Sequence, residues 1–461
     1  MKRDTFKQDI FKTRRDKLFT LMQQQGGGVA ILPTAREMTR NSDNHFPFRH
    51  DSYFYYLSGF TEPEAVIVLV AGKTGNRAVL FCREKNLERE IWDGYRYGPE
   101  AAREHFGFDE AHAFAALDGE MPNYLADAGT LFYSTGADNN LDGSLHNWLQ
   151  VVRSKVRSGI SAPDKTVDVR SLLDEMRLFK DDSEIALMQH AAIISGAAHA
   201  RAMRFTQPGR YEYELEAELL HEFRRHGAQA PAYGSIVAAG ANACVLHYQT
   251  NDGAIQNGDL VLIDAGCELD SYASDITRTF PANGTFSGPQ KTLYELVLAA
   301  QQAALECARP GSRYMDGHNA AVRVLTQGML DIGLLHKDKV GSVEDAIADS
   351  AFRQFYMHGT GHWLGLDVHD TGSYRETEKA GDEKPWRKLE AGMVITIEPG
   401  IYVRPAEGVP EQFWNIGIRI EDDVLITSEG HVNLSRDTPK TVTEIEAEMR
   451  YSGRDGDDGR H

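Results

Sequence analysis

The first part of the chain alternates short apolar runs with charged segments. Four runs have the length and β-branched content of strands, at residues 29–32, 66–70, 78–81 and 131–133. The segments between them have helical character, and this alternation is typical of an α/β domain. Because the pattern changes near residues 164–170, we place a domain boundary near residue 175.

Beyond this boundary the helical pattern occurs twice. Asp181 and Glu184 form a capping-box start for a helix that ends near Phe205. A Pro-Gly turn and a helix over 211–226, stopped by Gly227, follow. The same order returns later, with a second Pro-Gly turn and a helix over 316–332. The repetition predicts two duplicated halves.

Each half also contains an apolar strand that ends in a carboxylate, a variable residue and glycine. These are Leu260-Val-Leu-Ile-Asp264-Ala-Gly266 and Val394-Ile-Thr-Ile-Glu398-Pro-Gly400. We predict an α+β domain in which both strands join one sheet, with the helices on its outer face and the carboxylates on the other.

The predicted organisation therefore has three parts. An N-terminal α/β domain covers residues 1–175, a duplicated α+β domain covers 176–448, and a tail covers 449–461. The tail is polar and rich in Gly and Asp, a composition typical of disorder.

Composition and charge narrow the classes of function. The formal charge of −19 repels a phosphate backbone, and no basic stripe with aromatic residues is present, so we expect no nucleic-acid partner. Apolar runs such as 65–71 fall far short of the roughly 20 residues that cross a bilayer, so we expect no membrane role. The first residues contain no apolar core of signal-peptide length, which predicts a cytoplasmic protein.

Acidic residues cluster in patterns that indicate a cation site. Asp264 ends a strand and Asp275 follows after a turn, while Arg419 and Glu421 alternate with isoleucines on the opposite face. Unpaired carboxylates inside a sheet are costly and repel one another. With Glu398, these residues therefore predict a metal site.

Three histidines could complete that site. His358 and His362 lie in a glycine-rich stretch, and His369 follows shortly after. The residues alone leave open which of them binds metal. Four oxygen donors with one imidazole suit a first-row divalent ion, and two ions with bridging carboxylates would activate a water molecule for attack.

The motifs together resemble bacterial aminopeptidase P, the Xaa-Pro aminopeptidase family. The resemblance is carried by Ile263-Asp264-Ala-Gly266, Asp275-Ile-Thr-Arg-Thr-Phe280, His358-Gly-Thr-Gly-His362-Trp-Leu-Gly-Leu-Asp-Val-His369, Ile397-Glu398-Pro-Gly400 and Gly417-Ile-Arg419-Ile-Glu421. In the N-terminal part it includes 39–43, 53–63 and 90–92, so it covers nearly the whole chain.

This resemblance implies a fold, a cofactor and an assembly. The expected fold is a creatinase-type α/β N-terminal domain, serving substrate access and oligomerisation, followed by an α+β pita-bread domain with pseudo-two-fold halves. Two manganese ions are expected as cofactors, with other first-row divalent ions as alternatives. The expected assembly is a homotetramer or homodimer, and the expected substrates are peptides with proline in second position.

The resemblance also implies residue roles. The expected metal ligands are Asp264, Asp275, His362, Glu398 and Glu421. Catalytic roles fall to His247, His369, Glu398 and Arg419, with Glu398 carrying a proton and the two histidines stabilising an oxyanion. Substrate contacts fall to Asp43, Trp92, His358 and Tyr374. The charged stretch 375–388 is longer than the resemblance leads us to expect and could alter the substrate entrance.

Other functions stay open at this point. Prolidase, which cleaves only Xaa-Pro dipeptides, would use the same five ligands. A creatinase-like enzyme would lack the metal set, and a methionine aminopeptidase would not need the N-terminal domain. A non-catalytic pita-bread binding protein would have lost ligands that are present here. The preferred residue before proline cannot be read from the sequence.

Overall fold

The computed structural model describes residues 8–376 and 383–450. The chain divides into two units, Met1–Arg177 and Leu178–His461, next to the boundary expected near residue 175. The predicted disordered tail, from residue 451 onward, and residues 377–382 of the charged stretch lie outside the described residues. Within the described part, no helix combines the length and apolar character needed to cross a bilayer.

The N-terminal unit contains eight described strands and, up to its border, seven α-helices. The strands are β1 (Gly28–Pro33), β2 (Thr39–Asn41), β3 (Asn44–His45), β4 (Val66–Gly72), β5 (Gly75–Cys82), β6 (Glu110–Ala113), β7 (Thr130–Phe132) and β8 (Lys165–Val167). The helices are α1 (Gln8–Gln24), α2 (Ser52–Ser58), α3 (Leu87–Asp93), α4 (Gly98–Phe106), α5 (Leu117–Leu125), α6 (Asn139–Ser154) and α7 (Arg170–Leu178).

Six of these strands form one mixed sheet in the order β6-β5-β4-β1-β7-β8. The central strands β1 and β4 are apolar and almost entirely buried, as expected for a sheet covered on both faces. Leu125 of α5 and Trp148 of α6 pack on one face against Ile31 and Val68. The predicted α/β character and the four predicted strands are confirmed, with shifts of a few residues at their ends.

The C-terminal unit contains the remaining elements. Its helices are α8 (Asp182–Phe205), α9 (Glu212–Arg225), α10 (Gly288–Cys307), α11 (Tyr314–Asp331), α12 (Lys337–Val340), α13 (Val343–Ala348) and α14 (Val442–Arg450). Its strands are β9 (Ala230–Pro231), β10 (Ile236–Ala239), β11 (Leu260–Asp264), β12 (Cys267–Leu269), β13 (Tyr272–Ala273), β14 (Thr277–Pro281), β15 (Val394–Ile397), β16 (Gly400–Val403), β17 (Ile416–Arg419), β18 (Asp422–Ile426) and β19 (His431–Asn433).

The predicted duplication is visible in the order of these elements. In the first half, α8 and α9 precede a sheet of order β10-β11-β14; in the second, α10 and α11 precede a sheet of order β15-β18-β19. Strand β11 pairs with β14 and β15 pairs with β18, both antiparallel. The two carboxylate-bearing strands therefore lie in separate three-stranded sheets, and the prediction that they join one sheet is wrong. Each half therefore presents a strand end that carries a carboxylate, Asp264 in one half and Glu398 just beyond β15 in the other.

Local sequence signals explain where the helices begin. The Asp181 side chain accepts hydrogen bonds from the N–H groups of Ser183 (2.9 Å) and Glu184 (3.0 Å), and the Glu184 carboxylate accepts one from the Asp181 N–H (2.9 Å). This is the predicted capping box. Helix α14 runs to Arg450, so Met449, which we assigned to the tail, lies in its last turn.

Candidate metal centre

The first two carboxylates of the site come from one antiparallel pair. Asp264 ends β11 opposite Thr277 of β14, and Asp275 lies two residues before Thr277. The turn between them passes so closely that a Cβ on Gly266 would lie 1.7 Å from the Ser274 carbonyl oxygen. Glycine is therefore required at position 266, and the tight turn brings both carboxylates to one side of the sheet.

Tyr233 lies between these two carboxylates. Its hydroxyl oxygen is 2.6 Å from Asp264 Oδ1 and 2.5 Å from Asp275 Oδ1. Burial, together with both negative charges, raises the pKa of Tyr233 well above its ordinary value. The tyrosine therefore stays protonated and acts as a hydrogen-bond donor to the pair.

The second half of the domain contributes two more carboxylates. Glu398 follows β15, and its N–H donates to the Thr360 carbonyl (2.8 Å). Glu421 lies between β17 and β18; its N–H donates to the Thr277 carbonyl (3.1 Å), and its side chain accepts a hydrogen bond from the Thr277 hydroxyl (2.6 Å). Thr277 thus joins the two halves at the site.

His362 supplies the imidazole. Its Nε2 is 3.3 Å from Asp275 Oδ2 and 3.8 Å from Glu398 Oε1. Its Nδ1 donates to the Trp363 carbonyl (2.9 Å), an arrangement that turns Nε2 towards the carboxylates. Ligand atoms of Asp275, His362 and Glu421 all lie within 4.8 Å of one another.

The electrostatics of this group show that negative charge is in excess. Burial, with the neighbouring carboxylates adding, raises the pKa of Glu421 well above its ordinary value and that of Glu398 to about 7. Burial also raises the pKa of Asp275. Although burial opposes it, the Asp275 carboxylate raises the pKa of His362 to about 9. The raised pKa values show that the positive charge near these side chains does not balance the charge of the four carboxylates.

A divalent cation would relieve this repulsion. Hard carboxylate oxygens with one imidazole nitrogen are the donors that first-row divalent ions accept, and a cation lowers each carboxylate's pKa again. The residues present therefore fit a metal centre, as the sequence analysis expected.

Arg419 is buried beside the cluster. Its guanidinium donates to Asp264 Oδ2 (2.6 Å), to the Tyr402 hydroxyl (2.9 Å) and, through Nε, to the Thr277 hydroxyl (3.2 Å). These hydrogen bonds use donors of the planar guanidinium group, and the Arg419 side chain is 5% exposed. Arg419 therefore helps to fix the orientation of the Asp264 carboxylate.

Comparison with known proteins identifies the family of this chain. Residues 186–428 match the model of metallopeptidase family M24, and residues 11–133 match that of the aminopeptidase P N-terminal domain. The chain belongs to metallopeptidase family M24. The M24 match contains all five proposed metal ligands.

Relatives of this M24 member align over almost its whole length. The Xaa-Pro aminopeptidase of Escherichia coli K12 is 43% identical, and the alignment covers 95% of this chain and 97% of that protein. Human Xaa-Pro aminopeptidase 3 is 33% identical, and the alignment covers 95% of this chain and 85% of that protein. The structure of Pseudomonas aeruginosa aminopeptidase PepP is 47% identical, with a TM-score of 0.92 over 97% of this chain and 99% of its own. The resemblance to aminopeptidase P and the predicted two-domain fold are confirmed.

Three further predicted residues of this M24 site lie close to the ligands. His358 Nδ1 is 3.7 Å from Glu398 Oε2, and burial lowers the pKa of His358 to about 3. The rings of His369 and His362 are 4.2 Å apart between centroids. The Tyr374 hydroxyl accepts a hydrogen bond from the Trp363 N–H (3.3 Å), next to His362 in the chain.

The other predicted residues are more exposed. His247 lies on an exposed turn and is near enough to His369 to lower its pKa, after the larger effect of burial. In the N-terminal unit, Asp43 is exposed and accepts from the Asn44 side-chain amide (3.3 Å), and Trp92 is 84% exposed. Their substrate roles stay predictions.

Sequence reasoning missed several polar residues that support the ligands. Tyr233 and Tyr402 have no motif of their own, and only the folded chain brings them to the site. Asp423 is 1% exposed and accepts the Asp275 N–H at 3.2 Å. Thr277 could have been found, because strand alternation puts it on the same face as Asp275.

Proposed function

We propose that this M24 metallopeptidase is an Xaa-Pro aminopeptidase, which hydrolyses the peptide bond between an N-terminal residue and a following proline. The observation that carries the proposal is the cluster of four carboxylates and one imidazole, in which Asp275 and Glu421 are buried and Asp264, His362 and Glu398 are partly buried. It occurs in a chain that aligns end to end with enzymes named for this activity. One solved relative is E. coli aminopeptidase P in complex with substrate, with a TM-score of 0.92 to this chain.

We propose further that the site holds two manganese ions, with Asp264, Asp275, His362, Glu398 and Glu421 as ligands. Asp264 and Asp275 would hold one ion, His362 and Glu398 would hold the other, and Asp275 and Glu421 would contribute to both. When bound, the ions supply a nucleophilic water at neutral pH and polarise the scissile carbonyl. Support for a metal comes from the excess of negative charge at the site, and the solved relatives include a zinc-substituted E. coli aminopeptidase P in complex with product.

Glu398 is the proposed proton carrier. Its side chain is 18% exposed, against 14% for Asp264, 13% for His362 and 7% for Asp275, so it is the most accessible of these four ligands. A carboxylate at the open side can take a proton from the attacking water and deliver it to the proline nitrogen as the bond breaks. The nitrogen then leaves as a neutral amine.

The histidines and Arg419 have supporting roles in this proposal. His247 or His369 donates a hydrogen bond to the oxygen on which negative charge develops, a preorganised contact that favours the transition state. Arg419 acts through Asp264, since its guanidinium holds that carboxylate at 2.6 Å.

Selection of proline follows from its chemistry. Proline has no N–H, so a pocket that offers no acceptor at that position accepts it without loss. The proposed substrate-binding residues are Asp43, Trp92, His358 and Tyr374, and the Asp43 carboxylate is proposed to recognise the free N-terminal amine. The homotetramer or homodimer and the cytoplasmic location also stay predictions, which sedimentation and cell fractionation would test.

The test is hydrolysis of matched peptides by metal-stripped protein to which manganese is returned. We expect release of the first residue from Xaa-Pro-Xaa and not from Xaa-Ala-Xaa. Glu398→Gln should lower kcat about a thousandfold or more, because it removes both a ligand and the proton carrier. Glu390→Gln, an exposed carboxylate of the same unit, should change kcat little.

The outcomes separate the alternatives. Cleavage of the Xaa-Pro dipeptide alone would identify a prolidase, and no manganese-dependent cleavage of any peptide would refute the proposed function.

A further inference from the structure

A cavity lies behind the segment that carries His362. It has a volume of about 200 Å³ and is lined on one side by Cys307, Met315 and His318 of helices α10 and α11, and on the other by residues 358–361 and β15. Protein interiors are normally close-packed. On this side the segment lacks close-packed protein neighbours, so its hydrogen bonds to β15 and α11 contribute to its position.

Thr360 makes three hydrogen bonds. Its hydroxyl oxygen is 2.8 Å from His318 Nδ1 and 2.5 Å from the Tyr356 hydroxyl, and its carbonyl accepts the Glu398 N–H at 2.8 Å. Thr360 is 6% exposed and Tyr356 is fully buried. Two residues later comes the ligand His362. The position of Thr360 thus bears on two proposed metal ligands at once.

The hydroxyl of Thr360 can satisfy both neighbours. It has one hydrogen, so it donates to one of His318 and Tyr356 and accepts from the other. Tyr356 is close in sequence and reaches Thr360 from the same segment. His318 belongs to α11, and its bond, together with that from the Tyr314 hydroxyl to the Gly361 carbonyl, ties the segment to the helix on the far side of the cavity.

We propose that His318 is a positioning residue of the metal centre, which holds Thr360, and through it His362 and Glu398, in ligand geometry. The inference rests on the proposed metal site, but it adds a residue that touches neither ligand. Outer hydrogen-bond partners of metal ligands typically contribute 10- to 100-fold to metal affinity or activity. Because His318 acts through one further residue, we expect an effect of about tenfold.

A matched pair of variants tests the hydrogen bond apart from the volume of the ring. His318→Asn places a polar side-chain atom near the position of Nδ1, whereas His318→Leu fills similar space without one. Manganese affinity is measured by competition with a fluorescent chelator, alongside kcat and KM for an Xaa-Pro-Xaa peptide. We expect His318→Leu to weaken manganese binding about tenfold, and to lower kcat with little change in KM, while His318→Asn stays within about threefold.

A second pair addresses the possibility that His318→Leu does not fold. Thr360→Val removes the hydroxyl at constant shape, and Thr360→Ser keeps it. The Val variant should lose at least as much manganese affinity as His318→Leu, because it also removes the bond to Tyr356. The double variant should lose no more than Thr360→Val alone, because the bond to His318 is already absent there.

Two results would overturn the proposal. One is equal manganese affinity and kcat in His318→Leu and His318→Asn, whether both are normal or both impaired, since the ring would then only fill space. The other is a double variant whose loss is the product of the single losses. Either result, obtained with active wild-type protein, leaves the proposed peptidase function standing; failure of that function would show in the wild-type protein itself.

Discussion

The ion pair between Lys180 and Asp370 offers a strong test of the fold around the site. Lys180 Nζ lies 2.9 Å from Asp370 Oδ2, and each side chain is 1% exposed. Asp370 follows His369, and its N–H donates to the Trp363 carbonyl at 2.9 Å. The pair therefore joins the start of the C-terminal unit to the segment that bears two proposed site histidines.

Removing one partner leaves the other charge buried. Lys180→Met keeps the length of the side chain and deletes the charge, so the packing loss is small and the electrostatic loss dominates. Breaking such a pair typically costs about 3–5 kcal/mol. For a unit of this size, 1 kcal/mol shifts the unfolding midpoint by roughly 2–4 °C, so we expect a fall of roughly 10 °C.

Thermal unfolding followed by circular dichroism measures this loss. Lys180→Met with Asp370→Leu should recover most of the stability, because both buried charges of the pair are then removed. The control is the exposed pair Arg323–Glu344, with side chains 63% and 64% exposed. Arg323→Met should cost less than about 1 kcal/mol. The reasoning is wrong if Lys180→Met costs no more than this control.

Three further predictions concern a titrating group, a cap and a support of the site. Burial lowers the pKa of His50 to about 3. As the pH falls from 6.5 towards 3, the unfolded state therefore binds a proton that the folded state does not, and the stability should fall by on the order of 4 kcal/mol. The stability of a His50→Phe variant, measured by unfolding at several pH values, should fall less over this range. Asp181→Ala should cost about 1 kcal/mol by urea unfolding, and its neighbour Asp182→Ala much less. Tyr233→Phe should weaken manganese binding about tenfold in chelator competition, because two carboxylates lose their shared donor; unchanged affinity would contradict that role.

The sequence predicted the regular parts of the fold because local signals decide them. The capping box at Asp181 marks the start of α8 to the residue, and the apolar run before Asp264 coincides with β11. Strand β16 was missed. Its four residues begin at Gly400, two positions after Glu398, and pairing with β17, rather than a pattern of its own, makes them a strand.

The candidate site could be predicted as a set of carboxylates and histidines, but not as a network of contacts. Carboxylates at strand ends are visible in the sequence because they interrupt apolar runs. The contacts that orient them cross between distant segments, as when Arg419 reaches Asp264 and Tyr233 reaches Asp275. Such contacts depend on the tertiary fold, so single-sequence patterns contain no record of them.

Two neighbouring residues show how the protein directs charge. Glu421 and Asp422 are both buried, at 2% and 0% exposure, yet their environments are opposite. Burial opposes the charge of Asp422, but Arg278 at 2.7 Å and Lys440 at 2.5 Å hold its pKa well below the ordinary range. Burial raises the pKa of Glu421, and the nearby carboxylates raise it further. The fold thus neutralises the Asp422 carboxylate with Arg278 and Lys440, and leaves Glu421 in a cluster with an excess of negative charge. The stability of the proposed centre should therefore depend on the metal that it binds.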